Sequence, residues 1–119
     1  MDLNQAIAKH TEWKTKFRTA ISKQETMDAE TISKDNCCEL GKWLHGESKP
    51  KMAKLPSHAD CVRKHALFHV EAGTVARTIN AKEYTAAEAM LNPNTSYWNA
   101  STALVIAIMH LVKEAGLPY

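Results

Sequence analysis

The sequence predicts an all-α domain, a four-helix-bundle-like fold with an additional short helix built around Cys38. Two observations carry that prediction. Only four glycines and four prolines punctuate the 119 residues, too few for a fold of many short strands. Apolar residues recur at intervals of three and four over long stretches, the period of a helix face buried against a core. The length suits one domain, residues 1–119, around one hydrophobic core.

Residues 2 to about 24 read as one amphipathic helix. Asp2 with Gln5 three positions on resembles a capping pair, and Leu3, Ile7, Trp13, Phe17 and Ile21 form the apolar stripe. His10 lies on that stripe, one turn before Trp13. Taken alone it reads as a core histidine satisfied by one hydrogen bond. The periodicity fades from Glu25 to Lys34, where a break or turn is expected. Asp35 is the expected cap of a short helix to about His45, carrying Cys38, Leu40, Trp43 and Leu44 and ended by Gly46. Gly41 inside it costs roughly 1 kcal/mol relative to alanine. Its presence points to close approach of another backbone or a bulky side chain. Glu47 to Pro56, with two prolines and three lysines, reads as a solvated loop.

A long helix is expected from Pro56 or Ser57 to about Ile79, with proline tolerated in the first turn. Its stripe is Val62, His65, His69, Ala72, Ala76 and Ile79, flanked by Cys61, Phe68 and Val75. Asn80 makes a turn, Lys82 to Leu91 forms a short alanine-rich helix, and Asn92-Pro93-Asn94 breaks it. Thr95 or Ser96 caps the last helix, which carries Trp98, Leu104, Val105, Ile108, Leu111 and Val112. Gly116 and Pro118 are its stop signals. Ile106 and Met109 widen its apolar face, as in a helix that is central or shared with a second subunit.

The composition excludes several classes of function. A net charge of +2, with 15 basic residues scattered among 13 acidic ones, makes no nucleic-acid surface. The most apolar segment, Ala103 to Met109, falls far short of the roughly 20 residues that span a bilayer. The N-terminus has no basic patch followed by an apolar run, so no signal peptide is expected. Three cysteines, two of them adjacent, are a poor disulfide framework and point to a reducing compartment with thiols free or metal-bound. A cytoplasmic location is the expectation.

The chemistry lies in four positions. His65 and His69, four apart on a helix, project from one face and suit one metal ion. The residue after His65 is Ala66, so the glutamate base of a metalloprotease is missing. Cys38, followed by Gly41 and Trp43, and His10 on its apolar stripe complete a donor set of one thiol and three imidazoles. Zinc favours those donors in a tetrahedral arrangement. Cys37 is a rival to Cys38; on a helix it points about 100 degrees away, so both cannot easily bind at once. The Gly and Trp spacing selects Cys38. Cys61 reads as a core thiol or a second redox partner. His58 is assigned to the surface, and His45 and His110 match no part of the pattern.

His10 with Trp13, the run Cys38-Glu39-Leu40-Gly41-Lys42-Trp43, and His65-Ala66-Leu67-Phe68-His69 together resemble the chemoreceptor zinc-binding domain, a helical regulatory module of bacterial signalling proteins. The resemblance runs from about residue 5 to 112, and Ser101 on the last helix fits it. It implies that His10, Cys38, His65 and His69 are the ligands of one Zn2+. It further implies a homodimer that serves a chemoreceptor or diguanylate cyclase, in cis or in trans, and a ligand cysteine that responds to oxidants such as hypochlorous acid. Four protein ligands leave no place for an activated water, so the chain is not expected to be an enzyme. A zinc hydrolase and a purely structural zinc-stabilised dimerisation module are the competing readings.

Overall fold

Helix α6, Pro56–Asn80, is the axis of the fold. At 1.5 Å per residue its 25 residues are about 38 Å long, most of the 43 Å long dimension of the molecule. The computed structural model describes residues 1–117, and among these every regular element is helical. The expectation of an all-α, four-helix-bundle-like fold is met. Pro118 lies outside the described residues, but Gly116 ends the last helix, at φ +66°.

The N-terminal helix is interrupted once. α1 spans Leu3–Thr11 and α2 spans Trp13–Lys23, with Glu12 between them. Asp2 caps α1, its carboxylate accepting from the Asn4 and Gln5 amides. At the interruption, His10 Nδ1 and Thr11 Oγ1 hydrogen-bond the carbonyls of Ala6 and Ala8. Side chains competing for helical carbonyls are an ordinary cause of a bend. The stretch expected as a turn holds a one-turn helix, α3 (Ala29–Ile32), capped by Asp28. Asn80, at the end of α6, holds the turn before α3 in place: its amide accepts from Met27 N at 2.7 Å and donates to Met27 O at 2.8 Å.

The short helix α4 is Glu39–His45. Its N-cap is Cys38, not Asp35, and the thiol accepts from the Gly41 amide at 3.3 Å. Both cysteines therefore precede the helix, and the 100-degree argument does not apply. Gly46 terminates α4 as expected. The expected loop 47–56 contains one further turn of helix, α5 (Lys49–Met52), whose lysines are exposed. α7 is Tyr84–Met90 and α8 is Ser96–Ala115, capped by the Thr95 hydroxyl.

α6 packs most extensively on α8 and also meets α2, α3, α4 and α7. Phe17 of α2, Phe68 of α6 and Tyr97 of α8 stack edgewise or tilted, with centroids 5.7 and 5.8 Å apart. Both phenylalanines are fully buried, and burying each contributes on the order of 2–3 kcal/mol. Phe68 extends the aromatic core to His10, 5.2 Å away between ring centroids. The core thus ends where the histidines begin. No helix of the described residues is long and apolar enough to cross a membrane.

Candidate metal centre

Three elements bring the four predicted residues together. α6 presents His65 and His69 one turn apart, α1 presents His10, and the N-cap of α4 presents Cys38. His65 Nε2 lies 3.2 Å from His10 Nε2 and 3.0 Å from His69 Nε2. Cys38 Sγ lies 3.2, 3.8 and 3.6 Å from the Nε2 atoms of His65, His10 and His69. All four donor atoms fall within 4.8 Å of one another. A tetrahedral shell with Zn–N about 2.0–2.1 Å and Zn–S about 2.3 Å has edges of about 3.3–3.6 Å. Five of the six donor–donor distances, 3.0 to 3.8 Å, lie close to those edges.

The imidazole tautomers fit as well. His10 Nδ1 is 2.7 Å from the Ala6 carbonyl and His69 Nδ1 is 2.8 Å from the Ile32 carbonyl. A carbonyl only accepts, so each Nδ1 carries the proton and each Nε2 turns a lone pair inward. Both rings are thereby held in a ligating form. His65 Nδ1 is buried without a hydrogen-bond partner. A sequence shows neither carbonyl as a partner; only the Ala6–His10 spacing of four offers a hint.

Cys38 differs from the histidines in access. His10, His65 and His69 are buried, whereas Cys38 is partly exposed. It lines a cavity of about 490 Å³ with Asp2, Lys9, His10 and Cys37. Cys37 is exposed and hydrogen-bonds only Asn36, so the structure places Cys38 rather than Cys37 among the imidazoles. Cys61 is a core thiol at 0% exposure, and burial pushes its pKa up to about 12. His45 pairs with Asp35, and His110 is exposed on α8. His58 corrects the sequence reading: it is buried against Ser48. Ser101 lies on α8 beside Trp98 and Val105, apart from the four clustered residues.

Burial holds the cluster neutral. It lowers His10 to about 4, with the Ala6 carbonyl opposing. It lowers His65 to about 2, helped by His69 and His10. His69 is also lowered by burial, against the pull of the Ile32 carbonyl. The unfolded chain takes up these protons below pH 6.5, the ordinary histidine value, while the folded chain does not. Stability of the metal-free chain is therefore full above pH 6.5 and lost as pH falls below it. Urea unfolding in excess chelator is expected to show a midpoint nearly level from pH 7.5 to 6.5 that then falls towards pH 5. A constant midpoint would contradict a neutral buried cluster.

A family model described as the chemoreceptor zinc-binding domain matches residues 10–76, more than half of the chain. The chain belongs to this family. All four clustered residues fall inside the chemoreceptor zinc-binding match, which begins at His10 and ends within α6; α7 and α8 lie beyond it. Comparison with curated proteins and with solved structures gives no match. One thiol and three imidazoles at tetrahedral spacing, two with their tautomers set, suit a metal ion.

Proposed function

We propose that this chain is a zinc-binding sensory or regulatory domain of bacterial signalling, in which His10, Cys38, His65 and His69 hold one Zn2+. The supporting observation is the asymmetry of the donor set: three buried imidazoles and one thiol at the wall of an open cavity. Bound zinc supplies a closed four-ligand shell and keeps the cysteine as thiolate. The histidines fix α1 and α6, and Cys38 fixes α4 against them. An oxidant such as hypochlorous acid entering the cavity reaches Cys38 before the buried His65 and His69. Oxygen transfers to the sulfur, which gives up two electrons to become a sulfenic acid, and chloride leaves. The oxidised sulfur is a poorer donor, so α4 is freed from the other two ligand-bearing helices, and a signalling partner in cis or in trans reads the change.

The same reading includes a homodimer in the cytoplasm serving a chemoreceptor or a diguanylate cyclase. Ile106 and Met109 on α8, each 48% exposed, support a second copy as the cover for that helix. Metal analysis of the purified chain tests the site: one zinc per wild-type chain is expected, and far less in Cys38→Ala. A wild-type chain with no stoichiometric metal sinks the ligand assignment. Sedimentation and near-UV circular dichroism before and after mild hypochlorous acid test the sensing. Identical conformation and assembly in loaded, stripped and oxidised chains would reduce the site to a structural brace.

A further inference from the structure

A second set of contacts joins α4 to α6 at the end opposite the metal centre. Ser48 Oγ lies 2.8 Å from the Trp43 carbonyl, 3.4 Å from that of Leu44, and 3.0 Å from His58 Nε2. Ser48 N also donates to the Trp43 carbonyl, at 3.0 Å. Ser48 is 1% exposed and His58 4%. The hydroxyl has one proton, and the carbonyls can only accept it; His58 Nε2–H therefore donates to Ser48 Oγ. The last carbonyls of α4 have no partners within the helix. Here Ser48 satisfies that of Trp43 and approaches that of Leu44, and His58 holds Ser48.

The spacing gives this contact its meaning. His58 and His65 are seven residues apart on α6, two turns and about 10.5 Å. The seven residues of α4 span the same length, about 10.5 Å. α4 therefore lies antiparallel on this stretch of α6, with Cys38 against His65 at one end and its last carbonyls against His58 at the other. The helix is too short to hold itself in register. We propose that Ser48 and His58 are positioning residues for Cys38: they fix the far end of α4 so that the thiol stays seated on the metal. This rests on the zinc-ligand reading above.

Two of the chain's three thiols, Cys38 and Cys61, make the test self-controlled when the exposed Cys37 is replaced by serine. In the zinc-loaded protein, mass spectrometry follows iodoacetamide labelling of Cys38 and of Cys61, which is fully buried and reports opening of the core. Ser48→Ala and His58→Leu are expected to speed Cys38 labelling about 10-fold, the scale of one lost buried hydrogen bond, with Cys61 unchanged. His58→Gln, which keeps a buried N–H donor, is expected to restore most of the protection. Zinc release to excess chelator should follow the same order. Unchanged Cys38 labelling in both Ser48→Ala and His58→Leu overturns the inference. So does a parallel rise at Cys61, which would make the contact a general stabiliser. Wild-type Cys38 that labels equally fast with and without zinc defeats the ligand reading instead.

Discussion

Stripping the metal with a chelator is expected to lower the melting temperature by roughly 12–24 °C. The estimate follows from linkage: a ligand at about 1,000 times its Kd stabilises the folded chain by about 4 kcal/mol. For a domain of this size each kcal/mol moves Tm by roughly 3–6 °C. The structural reason is that the donors come from three separate elements, α1, the N-cap of α4 and α6, which one ion would tie together. Without metal, three buried neutral imidazoles and a thiol crowd together. Variants separate the ligand effect from packing. Cys38→Ala removes a partly exposed side chain, so it should melt close to the stripped wild type and no longer respond to zinc. His65→Ala empties a fully buried site and should melt lower still, by the roughly 2–4 kcal/mol of a large-to-small core change. Equal melting of loaded and stripped wild type would remove zinc from the account of stability.

The parts of the centre legible in the sequence were those governed by helical period. His65 and His69 declare a shared face by their spacing of four, and His10 declares its burial by lying on the Leu3–Phe17 stripe. The start of α4 was not legible. Asp35 is the better capping residue by intrinsic preference, but the chain turns until Cys38 faces the histidines and its sulfur takes the Gly41 amide. Tertiary contact with the imidazoles overrides local preference there. His58 did carry a signal: a residue two turns before His65 lies within about 20 degrees of the same face. Its partner Ser48 sits in a lysine-rich stretch that reads as solvent, and no pattern marks it. The carbonyl that orients His69 belongs to Ile32, on an element too short to show a period. Positions set by repetition are readable; positions set by one long-range hydrogen bond are not.

Gly41→Ala is the sharpest single test of how the cysteine is seated. By helix propensity alone the change should stabilise α4 by roughly 1 kcal/mol. The structure predicts the opposite sign. A Cβ at this position would overlap the Asp35 carbonyl oxygen and come within 3.1 Å of His65 Cε1. The first of these is backbone, in the segment that leads directly into Cys37 and Cys38, and it cannot yield without carrying the thiol with it. Overpacking of this kind costs roughly 1–3 kcal/mol, and displacement of Cys38 should weaken zinc by at least about 10-fold. Gly116→Ala serves as the comparison. Nothing lies within 4 Å of a Cβ there, but φ is +66°, so its cost of about 1 kcal/mol is purely conformational. It should leave zinc affinity untouched. Competition with a chromogenic chelator, alongside urea unfolding, reads both quantities for both variants. A Gly41→Ala chain that is more stable, or binds zinc as tightly as wild type, would show that α4 has room to shift and that the seat of Cys38 is set elsewhere.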